Sequence, residues 1–84
     1  MDEIERYAVI TVEHYSTFGT INIRVSREIP FREIIRNLFN ALGYNLKSIK
    51  GGFYAKAEVA EALVYPTDTL KDKGIYEGDI LRIL

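Results

Sequence analysis

The hydrophobic period of this chain changes once, near Pro30, and that change limits the fold more than any other feature. Upstream of it, Ala8, Ile10 and Val12 alternate with Tyr7, Val9, Thr11 and Glu13, and Ile21, Ile23 and Val25 alternate with Thr20, Asn22, Arg24 and Ser26. A period of two describes strands with one apolar face, the second run being the cleaner. The segment between them, Ser16-Thr17-Phe18-Gly19, is short enough to join them as an antiparallel hairpin. Downstream, Phe31, Ile34, Ile35, Leu38, Phe39 and Leu42 fall on one helical stripe, with Arg32, Glu33, Arg36, Asn37 and Asn40 opposite. The spacing predicts a helix from about residue 30 to residue 42. Pro30 suits its first turn, where an N–H would have no partner, and Gly43 suits the left-handed position that ends it.

The rest of the chain reads as short strands. Tyr44 to Lys50 is expected to be a loop, and Gly51-Gly52 a turn or bulge. Phe53, Ala55 and Ala57 alternate with Tyr54, Lys56 and Glu58. A turn at Ala60-Glu61 leads to a strand at Ala62 to Tyr65, stopped by Pro66. Thr67 to Asp72 resembles one capped helical turn closed by Gly74, and Gly78-Asp79 a tight turn. Ile80 to Leu84 is a last strand with Leu81 and Ile83 on one face.

A hairpin, one helix and a second group of strands make a two-layer α+β domain. With the final strand parallel beside the first, the result is a β-grasp: a mixed sheet of four to five strands with one helix packed across one face. An OB barrel, whose helix follows three strands, fits less well. The 84 residues are read as a single domain, 1–84. A chain of this size hides roughly 60% of its unfolded surface. The acidic residues 1–5 are the segment expected to lie disordered, as chain termini commonly do.

Composition removes most chemistry. Eleven Lys and Arg against twelve Asp and Glu give a net charge of −1, without the cationic excess of a nucleic-acid binder. There is no Cys and only one His, which leaves neither a thiol nucleophile nor the material for most metal clusters. Glu58, Glu61, Asp68 and Asp72 sit at predicted turns, where acids cap backbone N–H groups or face solvent. His14, at the end of the first strand, reads as a surface or edge residue. Gly51-Gly52 lacks the Gly-Lys-Ser/Thr of a phosphate loop. The ten aromatics divide between the core and a scatter of tyrosines without matching cations. No catalytic, cofactor-binding or metal-binding residue is assigned, and no enzymatic activity is expected. With no basic-then-apolar leader and no long apolar run, the chain is expected to be cytosolic, without membrane insertion.

One constellation supports a function. With Phe53, Ala55 and Ala57 inward, parity sends Tyr54 and Lys56 to the uncovered side of the sheet, together with Arg82, Leu84, Thr11 and Glu13. Tyr and Arg dominate binding hot spots. Tyr54, Lys56, Arg82 and Leu84 are therefore the candidate protein-binding residues.

The segment TLKDKGIYEGDILRIL, residues 69–84, resembles the ending of ubiquitin-type chains. IPFREII, FYAKAEV and ALVYP fall where a ubiquitin-like fold has its helix and next two strands. Over residues 7–84 the chain is most similar to the YukD/EsaB group, small bacterial ubiquitin-like proteins associated with type VII secretion. The resemblance implies a cytosolic, non-enzymatic accessory whose partners are the secretion ATPase or membrane components, and it brings no catalytic residue with it. Unlike ubiquitin, the sequence reaches Leu84 without a flexible tail or terminal Gly-Gly, so a non-conjugated role is expected. The alternative is a structural β-grasp subunit of a bacterial multicomponent oxygenase, which calls for a larger exposed apolar patch.

Overall fold

The computed structural model describes residues 6–45 and 53–84. The first five residues, residues 46–50 of the loop expected from Tyr44 to Lys50, and the turn or bulge expected at Gly51-Gly52 lie outside the described residues. Strands β1 (Tyr7–His14) and β2 (Gly19–Ser26) form the hairpin, and helix α1 (Phe31–Leu42) follows. Strands β3 (Ala55–Ala57), β4 (Ala62–Val64) and β5 (Ile80–Ile83) complete a sheet in the order β2-β1-β5-β3-β4. β5 runs parallel to β1 and antiparallel to β3, so the sheet is mixed and its centre is built from the first and last strands.

The C-terminal end of the helix follows from local sequence, whereas the N-terminal end is satisfied by a loop distant in the chain. Pro30 is the N-cap, not a first-turn residue as its ring suggests, because its ψ of 145° is extended. Its side chain has no oxygen to cap with, and backbone carbonyls of the 66–68 loop do so instead: Phe31 N–H donates to Asp68 O (2.7 Å) and Arg32 N–H to Pro66 O (3.0 Å). At the other end Gly43 takes φ 80°. Gly43 N–H donates to Asn40 O and Tyr44 N–H to Phe39 O, a Schellman motif. The Tyr44 ring rests on that of Phe39, with centroids 6.2 Å apart.

The core lies between α1 and one face of the sheet. Ala8, Ile10 and Val12 of β1, Ala55 and Ala57 of β3, Val64 of β4, and Leu81 and Ile83 of β5 meet Phe31, Ile34, Ile35, Leu38 and Phe39 of the helix. Leu42, counted with the helical stripe from its spacing, is half-exposed at the helix end. Leu70 and Ile75 close the core from below. The segment carrying them makes one helical turn and no more. Lys73 N–H donates to Thr69 O, Asp72 N–H to Thr69 Oγ1, and Ile75 N–H to Leu70 O beyond Gly74 at φ 69°. Arg27, which sequence pattern does not single out, is buried beside this segment. Its Nε donates to Ile75 O (2.8 Å) and its guanidinium stacks 4.1 Å above the Tyr76 ring.

Candidate functional site

The face of the sheet away from α1 carries the side chains that alternate with the core. Because Leu81 and Ile83 point inward, Ile80, Arg82 and Leu84 point outward, and the register sets their neighbours. Glu13 lies opposite Arg82, Arg82 opposite Lys56, and Lys56 opposite Leu63. Tyr54 precedes inward Ala55, and its carbonyl accepts the Leu84 N–H (2.8 Å). The structure thus brings Tyr54, Lys56, Arg82 and Leu84 to one surface.

Two different environments exist on that surface. Arg82 is a strut between strands and not a free anchor. Its Nε donates to Glu13 Oε1 at 2.9 Å and its Nη2 reaches Glu58 Oε1 at 2.9 Å, tying β1, β5 and the end of β3 together. The hydrogen bond with Glu13, then the charges of Glu13 and Glu58, hold its proton more firmly than in an isolated arginine. A turn position for Glu58 hides this link, since only the three-strand register brings it to Arg82.

The second environment is apolar. The Tyr54 and Tyr65 rings stack at 5.5 Å, and Leu63, Tyr65 and Leu84 are exposed beside them. Lys56 rises at the rim, paired with no carboxylate among the described residues. Leu63 and Tyr65 belong to this corner but were not among the expected residues. The parity around inward Val64 was sufficient to find them.

Three other sequence expectations meet the structure here. His14 is not a plain surface residue: its ring lies 5.8 Å from Phe39 and 6.3 Å from Phe18, and its Nδ1 is 2.8 Å from Thr17 Oγ1. The tyrosines are not all without cations, for Arg24 covers Tyr7 at 4.5 Å and Arg27 covers Tyr76. Asp68 does cap a turn, accepting the Tyr65 N–H. The acid with the largest structural role is Asp79, buried behind the Gly78 turn. Its carboxylate accepts from the N–H groups of Val59 (2.8 Å), Ala60 (3.1 Å) and Ile80 (2.8 Å), holding the β3–β4 connection to the start of β5. Among the described residues no group of three or more His, Asp or Glu side chains is placed to hold a metal ion.

No family model and no curated protein matches the chain. Solved structures do. A ubiquitin-like domain from tubulin-binding cofactor B aligns over 93% of this chain and 88% of its own, at 13% identity and a TM-score of 0.63. Tubulin-binding cofactor B of Trypanosoma brucei aligns over 92% of each chain, at 8% identity and a TM-score of 0.69. The fold is the ubiquitin-like β-grasp. A chain of the MycP5-free ESX-5 inner membrane complex is also similar, over 94% of this chain and 21% of that one, at 18% identity and a TM-score of 0.52. These likenesses concern the fold. Among the described residues no helix is long and apolar enough to cross a membrane.

Proposed function

We propose that this ubiquitin-like chain is a protein-binding accessory of a type VII secretion system, of the YukD/EsaB kind, and that it engages its partner non-covalently through the open face of the sheet. The observation that carries the binding reading is the apolar corner of Tyr54, Leu63, Tyr65 and Leu84, rimmed by Lys56. A rigid sheet presents these side chains at little conformational cost, and an aromatic cluster with a polar rim is the usual anatomy of a hot spot. The Glu13–Arg82–Glu58 row stiffens the platform beside it. The secretion reading draws on the sequence resemblance and on a domain of this fold within the ESX-5 inner membrane complex. The partners are then the secretion ATPase or membrane components, met in the cytosol.

The test is affinity capture from lysate with N-terminally tagged protein, beside a Tyr54→Ala/Leu63→Ala double variant shown by circular dichroism to be folded. Recovery of a secretion ATPase or membrane component by the wild type alone is the expected result. Equal recovery by both proteins removes the open face from the contact. Recovery of oxygenase subunits replaces the secretion reading with the structural-subunit one.

A further inference from the structure

Among the described residues β2 is an edge strand whose backbone is paired on one side only. Arg27 N–H donates to Arg6 O, in register with the β1–β2 ladder. In the antiparallel alternation, Val25, Ile23 and Ile21 then also bond toward β1, while Ser26, Arg24, Asn22 and Thr20 direct their N–H and C=O groups outward. Natural sheets blunt such edges with proline, bulges or inward-pointing charges. β2 keeps eight residues in unbroken register with β1, and of the edge-blunting devices it carries only the outward charge of Arg24.

The same edge borders a groove. Ile21, Ile23 and Val25 face the helix side but are only half-buried, whereas their β1 counterparts Ala8, Ile10 and Val12 are fully covered. Between strand and helix lies an open space of about 310 Å³, walled by Ile23, Val25 and Ile29 on one side and Ile34, Leu38 and Ala41 on the other. A cavity of about 150 Å³ already holds a benzene-sized group, so this groove has room for a pair of aliphatic side chains.

Arg24 supplies the charge that selects the occupant. It projects to the opposite face of β2, over the Tyr7 ring, and pairs with no carboxylate among the described residues. By contrast Arg6, Arg36, Lys71, Lys73 and Arg82 each have one. On a strand added to β2, side chains would alternate between the groove and the Arg24 face. We propose that the β2 edge is a strand-addition site for an extended segment of a partner protein with the pattern apolar–acidic–apolar. Its backbone pairs with Thr20, Asn22, Arg24 and Ser26, its two apolar side chains fill the groove, and the acid between them meets Arg24. A second copy of β2 is the poorer occupant, because Ile23-Arg24-Val25 would bring another cation where the acid belongs. The site lies at the opposite edge from β3 and β4, so it stands whether or not the open face binds.

The test is a titration of the 15N-labelled full chain with the capped peptide Ser-Thr-Val-Glu-Val-Thr-Ser, beside the same peptide with Lys in place of Glu. Amide shifts are expected at Thr20, Asn22, Arg24 and Ser26 and at Ile34, Leu38 and Ala41. The Glu peptide should bind about two- to fivefold more tightly, the range of an exposed ion pair, and Arg24→Glu should invert that order. Ala41→Trp, at an exposed position on the groove wall, should abolish binding without lowering the melting temperature. Absence of shifts at millimolar peptide, or shifts confined to the Tyr54 and Leu63 face, overturns the proposal. Equal affinity for the two peptides overturns the acidic element. Concentration-dependent shifts along β2 without peptide overturn it in favour of a second copy.

Discussion

Replacing Asp79 with alanine removes a carboxylate that three backbone N–H groups share. The β3–β4 connection it holds includes Glu61 at φ 54°, a left-handed conformation that a residue with a Cβ does not favour. The turn is thus kept in shape from outside, by an acid 2% exposed at the start of β5. A hydrogen bond to a charged acceptor contributes about 1.5–3 kcal/mol. All three bonds are part-buried, so water reaches some of the freed donors and the loss stays below the full sum. The expected loss is about 3–5 kcal/mol, a large part of a total stability of about 5–15 kcal/mol. For a domain this small each kcal/mol lowers the melting temperature by about 4–8 °C. The assay is urea unfolding followed by circular dichroism, with Asp72→Ala as control. Asp72 is exposed at a turn, and its replacement should stay within about 0.5 kcal/mol. A loss below about 1 kcal/mol for Asp79→Ala, at an unchanged m-value, would falsify the reasoning by showing that water substitutes for the carboxylate.

Two further predictions address the core and the aromatic cluster. Ile35→Ala, at a fully buried position on the sheet side of α1, should cost about 2–5 kcal/mol in the same unfolding assay, and a smaller loss would mean that the helix collapses onto the vacancy. Partial burial pulls the His14 imidazole below its usual 6.5, so the unfolded chain takes up a proton first as pH falls. The stability associated with the neutral ring is present above that value and lost as pH falls through the folded-state pKa. Unfolding midpoints measured from about pH 8 to about pH 5 should therefore drop more in the wild type than in His14→Gln, and parallel curves would refute the assignment.

What the sequence discloses depends on the range of the interaction. The hairpin, the helix and the Schellman end at Gly43 are written in residues a few positions apart, and the structure has all three. Alternation places Tyr54, Lys56, Arg82 and Leu84 on one face because side-chain direction in a strand needs no knowledge of its neighbours. It cannot show that Arg82 is held by Glu13 and Glu58, since that contact depends on the register of three strands. Asp79 was visible only as a turn residue for the same reason: its donors Val59 and Ala60 belong to a different turn. Pattern also misstates coverage. β2 alternates more regularly than β1 yet is the less buried strand, because alternation tells which residues share a face and not how far the helix extends over it. Leu42 errs similarly, lying on the stripe but at the helix end.

The parallel pairing of β1 with β5 also sets a schedule. Glu13 and Arg82 meet across 69 positions of sequence, so the middle of the sheet is its most non-local part. During synthesis the hairpin and α1 can assemble from neighbouring residues, but β1 keeps a vacant inner edge until β5 has left the ribosome. Closing so large a loop is slow compared with hairpin or helix formation, and an unpaired strand flank is a template for association while it waits. A nascent chain halted before Ile80 therefore exposes an unpaired strand edge at the very place that becomes the inside of the finished sheet.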